Sequence, residues 1–404
     1  MPMSQISIQP ASGARMESME VVAAIRSVLP ASEDRVALHE PWFSGNEWKY
    51  VRECIDTGWV SSAGKYVDRF EQKLAEYTGV ARAVAVCNGT AALHMCLKLV
   101  GVTAADEVLI PALTFVATAN AVAYCGATPH FVDSEETSLG LDAVKLRAYL
   151  AEIADVSGGR CFNRSTGARI AAVVPMHTFG FPVDLDALAE TCQEFSIPMV
   201  EDAAESLGSF YKGRHTGAFG TVSALSFNGN KIITSGGGGA ILTNDVELGA
   251  AAKHLTTTAR LPDRRTFVHD EVGYNYRMPN LNAALGCAQL EQLPSFVLHK
   301  RNLAQRYRRA LANIGGVRFV VEPAGTESNY WLNCLLVESG REEDRDLLLD
   351  ATNESGIMTR PAWRLMHKLP MYASCPHMDL SVAEKLEATI VNIPSSAFLD
   401  GGRG

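Results

Sequence analysis

Between residues 83 and 245, short apolar runs alternate with stretches of helical spacing, and that alternation dictates the fold. The predicted strands are 83–87, 108–111, 129–133, 170–175, 198–202, 222–227 and 240–243. They are apolar almost throughout rather than at every second residue. Such a strand has no face to offer water, so its sheet must be covered on both sides. The predicted helices 90–100, 117–125, 142–153, 186–195 and 246–257 supply the cover. The expected fold is α/β, with a mostly parallel sheet flanked by helices.

From about residue 289 the alternation stops. Pro294, a basic helix at 299–311, a strand-like 330–337 and a helix at 342–354 predict a smaller C-terminal α+β domain. Residues 1–15 read as a loose leader, 19–29 as a helix packed on the main body, and 30–33 as a linker. The expected division is a leader and helix at 1–40, a large ligand-binding domain at 41–288 and a small domain at 289–404.

With 404 residues, 47% apolar and 20% charged, the chain can bury a large core. A net charge of −9 and a pI near 5.6 argue against a general nucleic-acid binder. They leave room for an anionic small molecule at a local cluster of arginines. Nine scattered cysteines with no CxxC pair predict reduced, mostly buried thiols in a cytoplasmic protein, and no metal site. No apolar run reaches the ~18 residues of a membrane span. Residues 1–15 lack the apolar centre of a signal peptide.

Within this frame Lys231 stands out. It follows a predicted strand ending in Ser226-Phe227 and precedes four glycines, Gly236 to Gly239. Another predicted strand ends in Glu201-Asp202-Ala203-Ala204-Glu205. Asp202 thus falls at the sheet edge where open α/β sheets bind ligands. A strand-end carboxylate, with a lysine 29 residues later beside a glycine run, is what a pyridoxal 5′-phosphate (PLP) enzyme needs. The lysine forms a Schiff base with the cofactor. The aspartate keeps the pyridine nitrogen protonated, so the ring can absorb the electrons of a carbanion. A carboxylate against a pyridinium is a paired charge, which makes its burial tolerable. Ala204 is small enough to lie under a flat ring, and Glu205 could reach the phenolic oxygen.

Cys87-Asn88-Gly89-Thr90 joins a strand to a helix, and a helix N-terminus suits a phosphate. Phe115, after the next strand, could stack on a planar ring. Arg260, Arg264 and Arg265 could face phosphates. Each segment alone also has a bland reading: a capped turn, a core aromatic, a strand-end cap, solvated surface charge. Their order and spacing together make the case.

Five segments then resemble a known family: Asn88-Gly89-Thr90-Ala91-Ala92-Leu93-His94, Thr114-Phe115-Val116-Ala117-Thr118, Glu201-Asp202-Ala203-Ala204, Ser226-Phe227 with Lys231 and Gly238-Gly239, and Gly273-Tyr274-Asn275-Tyr276-Arg277-Met278. They are similar to the PLP-dependent nucleotide-sugar aminotransferases of the DegT/StrS type, over residues 41–394. The resemblance implies a fold-type I aminotransferase that works as a homodimer with two shared active sites. It makes Lys231 the Schiff-base lysine and Asp202 the partner of the pyridine nitrogen. Gly89, Thr90 and Ser226 become phosphate contacts, and Phe115 and Ala204 sandwich the ring. Asn275 reaches the phosphate of the partner subunit's cofactor. The sugar nucleotide falls to basic groups around Arg260, Arg360 and His367.

Glu205 stands where the family often has Gln or His, and an acidic residue there resembles the subgroup that aminates carbon 4 of 4-keto-6-deoxy sugars. A branch with His for the lysine is a dehydratase, and Lys231 argues against it. The leader helix and Thr359-Arg360-Pro361-Ala362-Trp363-Arg364-Leu365-Met366-His367 resemble enzymes that make UDP-4-amino-4,6-dideoxy-N-acetylglucosamine for legionaminic acid or bacillosamine glycans. The expected reaction is transamination of a UDP-linked 2-acetamido-2,6-dideoxy-4-keto-hexose with L-glutamate. The alternatives are a GDP-perosamine-type or dTDP-sugar aminotransferase, a PLP enzyme of another reaction type, and a catalytically silent PLP-fold sensor.

Overall fold

All seven strands expected between residues 83 and 245 form, each within two residues of its expected ends. They are Arg82–Val86 (β1), Glu107–Pro111 (β2), Thr128–Val132 (β3), Arg169–Val173 (β4), Val200–Asp202 (β5), Val222–Ser226 (β6) and Gly239–Thr243 (β7). The computed structural model describes residues 12–31, 35–262 and 266–400, with side chains from Ser18 onward.

Strands β3, β2 and β4 are parallel neighbours, as are β5 and β6. Parallel bridges Val173–Met199 and Met176–Asp202 join β4 to β5. Strand β7 runs antiparallel between β6 and β1. The sheet order is therefore β1-β7-β6-β5-β4-β2-β3. Every residue of β2 and β7 is buried, as continuous apolar runs require. The five intervening helices form within one residue of expectation. Side chains explain four of their starts: Asn88, Asp142, Asp184 and Asp245 each accept a backbone N–H from the first turn of the helix.

Three features depart from the sequence reading. A hairpin of Ala154–Ser157 and Arg160–Asn163 extends the sheet beside β4. Its turn, Gly158-Gly159, has φ of 58° and 71°, the left-handed pair that a two-residue hairpin loop demands. The basic helix expected at 299–311 is the second half of one longer helix, Asn280–Leu311, with Pro294 inside it. Its first half buries Ala283, Ala284 and Cys287 against the large core. Its second half buries Leu303, Tyr307 and Leu311 in another. Packing on both halves outweighs the lost hydrogen bond of the proline. The expected boundary at 288/289 lies inside this helix.

The N-terminal helix, Ser12–Val28, begins within the expected loose leader. It packs not on the large sheet but with Leu335, Val391 and Phe398 of the C-terminal part. Ser32 and Glu33 of the expected linker lie outside the described residues. The C-terminal sheet has strands Val317–Phe319 (β8), Asn333–Val337 (β9), Arg360–Pro361 (β10) and Ile390–Ile393 (β11), antiparallel in the order β8-β9-β11-β10. Among the described residues no helix is long and apolar enough to cross a membrane.

Strand β7 passes tightly against the Asn88-Gly89 turn at the start of Gly89–Leu99. A Cβ on Gly239 would lie 2.5 Å from the Asn88 carbonyl carbon and oxygen and 2.7 Å from the Gly89 nitrogen. Backbone cannot yield as a flexible side chain does. Gly239→Ala should therefore cost about 1–3 kcal/mol by overpacking. It should appear as a melting temperature lowered by several degrees. An unchanged melting temperature would show that the strand and turn separate freely.

Candidate active site

The C-terminal ends of β5 and β6 and the turn after β1 converge on a cleft of about 290 Å3. Asn88, Gly89 and Thr90 form one wall at a helix N-terminus, and Asp202 and Ser226 come from the two strand ends. Gly89 closes on Ser226, whose Cβ would sit 2.8 Å from an added Cβ on the glycine.

Asp202 is buried, 2% exposed. Its Oδ2 accepts a hydrogen bond from Thr118 Oγ1 at 2.7 Å, and its Oδ1 accepts one from the Ala204 N–H at 3.2 Å. Thr114 Oγ1 lies 2.9 Å from Thr118 Oγ1, extending the chain of hydroxyls. Burial nevertheless raises the carboxyl above its ordinary value, because two neutral donors do not replace lost hydration. Among the described residues no cation pairs directly with it.

Lys231 Nζ lies 3.1 Å from Glu205 Oε1 and 4.0 Å from the centre of the Trp331 ring. The Phe179 N–H donates to the other Glu205 oxygen at 2.9 Å. Phe179 has φ of 56°, and Gly180 after it has φ of 96°. A left-handed bulky residue is strained, and here the strained turn aims an amide at the carboxylate. Burial pushes Glu205 up to about 7, with Lys231 and the Phe179 amide opposing.

The structure brings eight of the expected residues to this cleft: Gly89, Thr90, Phe115, Asp202, Ala204, Glu205, Ser226 and Lys231. Phe115 is 47% exposed, so it faces the opening rather than the core. Arg360 lines an adjoining cleft that shares Trp331 and Trp363 with the first. Asn275 is exposed and lines neither cleft; its backbone bridges Thr257. Arg260 is also exposed and stacks on Phe267, 4.1 Å from its ring centre. His367 sits in a short 3-10 turn, 3.6 Å from Glu384, outside both clefts. Arg264 and Arg265 lie outside the described residues.

Met176, Asn228, Asn230 and Trp331 also line the cleft and were not singled out by sequence. Trp331 comes from the chain entering β9, and no local pattern ties it to Lys231. Trp363 stood only within a segment of resemblance. It meets Phe115 with ring centres 6.1 Å apart and Phe179 at 4.8 Å.

The model of the DegT/DnrJ/EryC1/StrS aminotransferase family matches residues 43–402. The chain belongs to this family. It is similar to a GDP-perosamine synthase of Caulobacter vibrioides, 37% identical over 366 residues, spanning 90% of this chain and 94% of the relative. A GDP-perosamine synthase of Vibrio cholerae is 39% identical over 337 residues, 83% of this chain and 87% of the relative. Among solved structures, the aminotransferase TlmJ from Streptoalloteichus hindustanus matches with a TM-score of 0.80 at 30% identity, covering 89% of this chain and 93% of that one. The chain is thus a PLP-dependent sugar aminotransferase of fold type I. The relatives' names differ from the UDP-linked subgroup that the leader helix and residues 359–367 resembled.

The residues present fit PLP. A helix N-terminus with a glycine that a Cβ would fill suits the phosphate. A buried carboxyl raised for want of a cation suits a pyridinium. A lysine amine with an acidic neighbour lines the same cleft.

The raised Glu205 carboxyl carries a pH dependence. In the unfolded chain it ionises near 4.5, and in the fold near 7, so the fold binds its proton more tightly. This stabilisation is full below about 4.5 and is lost as pH rises through about 7. Glu205→Gln has no such slope. In PLP-free protein, the melting temperature of the wild type should therefore fall relative to Glu205→Gln from pH 5 to 7 and level off above. A constant difference across that range would mean that Glu205 ionises as an ordinary carboxylate.

Proposed function

We propose that the enzyme moves the amino group of L-glutamate to carbon 4 of a GDP-linked 4-keto-6-deoxy sugar, releasing 2-oxoglutarate. The observation that carries the chemistry is Lys231 Nζ at 3.1 Å from a buried Glu205, in one cleft with Asp202. The relatives named GDP-perosamine synthases, at 36 to 39% identity, support the GDP-linked substrate over the UDP-linked one. The acidic residue at 205 supports amination at carbon 4.

When bound, PLP supplies an aldehyde for the amine and a ring that accepts the electron pair of a breaking C–H bond. Asp202 holds the pyridine nitrogen protonated, and Thr118 fixes the carboxylate that does so. Gly89, Thr90 and Ser226 hold the phosphate. Phe115 and Ala204 flank the ring. Glu205 faces the phenolic oxygen and keeps Lys231 in place. Lys231 Nζ takes a proton from one carbon and delivers it to another, general acid–base work at hydrogen-bond range. Glutamate and the keto-sugar occupy the same cleft in turn, so each leaves before the other enters. Arg360, at the mouth of the adjoining cleft, is placed for the pyrophosphate, and its fork of N–H groups matches phosphate oxygens.

Asn275 and Arg260 stand outside their own chain's clefts. This supports a homodimer in which each subunit lends Asn275 to its partner's cofactor. Mixing inactive Lys231→Ala chains with inactive Asn275→Ala chains should restore activity, because one site of the mixed dimer carries no lesion. Verified mixed dimers that stay dead would overturn the shared site.

The substrate is tested by incubating the PLP-loaded enzyme with glutamate and GDP-, UDP- and dTDP-linked 4-keto-6-deoxy sugars. Mass spectrometry should find oxygen exchanged for an amine chiefly on the GDP sugar, and none with Lys231→Ala. Amination chiefly of the UDP sugar would reinstate the UDP reading. Glutamate-dependent bleaching with no sugar product from any of the three would reject the nucleotide-sugar assignment.

A further inference from the structure

Asn329, on the chain entering β9, is fully buried, and none of the roles above uses it. Its side chain bonds only to backbone. Nδ2 donates to the Glu205 carbonyl and to the Leu207 carbonyl, each at 2.9 Å, and Oδ1 accepts from the Trp331 N–H at 2.8 Å. The Asn329 N–H donates to Ser209 Oγ at 2.9 Å, and that hydroxyl donates in turn to the Gly180 carbonyl at 2.8 Å. Glu205 and Trp331 are also the residues whose side chains meet the Lys231 amine, at 3.1 Å and at 4.0 Å from the ring centre. One carboxamide thus ties the backbone of the carboxyl to the backbone of the ring.

The neighbouring chain is shaped around this amide. A Cβ on Gly180 would lie 2.0 Å from Asn329 Oδ1, so the turn that aims the Phe179 N–H at Glu205 closes directly on it. Tyr330, which separates Asn329 from Trp331, has φ of 46°, a left-handed conformation that a bulky residue adopts only under constraint. Ser328 Oγ and Asn329 Oδ1 supply the constraint. Each accepts from the N–H two residues on, Tyr330 at 2.9 Å and Trp331 at 2.8 Å. Trp331 is tied elsewhere too. Its carbonyl accepts from Lys300 at 3.2 Å, and its Nε1–H donates at 2.7 Å to the carbonyl of Asn230, the residue before Lys231.

An asparagine that served its own loop alone could satisfy any carbonyl nearby, as it does that of Leu207. The bonds to Glu205 and Trp331 go further, because they reach the two residues that meet the amine. The strained backbone at Phe179 and Tyr330 bears on the same two.

We propose that Asn329 is a positioning residue for the reaction: it sets the separation of the Glu205 carboxyl and the Trp331 ring, and through them the place of the Lys231 amine. This rests on the reading of Lys231 as the lysine that joins PLP and carries the proton, and it holds for any nucleotide sugar.

The test uses PLP-loaded enzyme with glutamate alone. Asn329→Asp keeps the shape and the acceptor for the Trp331 N–H and loses the amide donors to Glu205 and Leu207. Single-turnover bleaching at saturating glutamate should slow about tenfold or more, because a small misplacement of a reacting group is costly. The circular dichroism of the cofactor's visible band, which reads the tilt of the lysine-bound ring, should change in amplitude or sign. Leu146→Ala, a truncation in a separate core, controls for lost stability and should keep the wild-type band and rate. If melting shows Asn329→Asp unfolded, Ser209→Ala, which removes only the hydroxyl behind the Asn329 N–H, takes its place. A folded variant that keeps either the wild-type band or the wild-type rate overturns the role, as does the same loss in Leu146→Ala. A wild type with no visible band, or Lys231→Ala that keeps one, would remove the reading of Lys231 and this role with it.

Discussion

A carboxyl buried without a cation is the constraint on which this site depends. Asp202 is placed at the end of β5 by a run of apolar residues that must stay in the sheet interior, and it cannot retreat to water. Two neutral hydrogen bonds leave it raised above an ordinary carboxylate. The remaining deficit is a demand for positive charge, which the protonated ring nitrogen of the proposed arrangement would meet. In the proposed arrangement, removing the carboxyl would ease the empty protein and disable the loaded one, so stability and function would pull in opposite directions at this residue.

The second charged pair answers a different demand. Lys231 Nζ donates to Glu205 at 3.1 Å, and the strained Phe179 amide holds the same carboxyl from behind. The Trp331 ring covers the lysine, its Nε1–H donates to the Asn230 carbonyl at 2.7 Å, and its own carbonyl accepts from the buried Lys300 at 3.2 Å. A residue from the C-terminal part thus forms the lid over the reactive amine of the large part.

Much of this was legible in the sequence because it is local. Continuous apolar runs fixed the strands, helical spacing marked the helices, and Asp202 and Lys231 lie beside strand ends whose direction the alternation dictates. What escaped was non-local. Trp331 comes from a segment far along the chain from Lys231, and only tertiary packing brings it over the amine. Pro294 misled for a related reason: its local preference against a helix is real, but two cores bury the helix on either side of it. The Gly158-Gly159 hairpin was signalled by its turn residues, yet its strands are half exposed and carry no run that marks them.

The long helix Asn280–Leu311 has a mechanical meaning. Its ends are rooted in different cores, so the C-terminal part is not slung on a pliable linker. It cannot swing away as a jaw unless the helix itself flexes. The cheapest place for that is Pro294, where one rung of the hydrogen-bond ladder is already missing. In the proposed reaction, exchange of glutamate for a bulky sugar nucleotide would therefore fall to side chains and loops at the rim, with the walls that carry Lys231 and Trp331 held at their spacing by this helix.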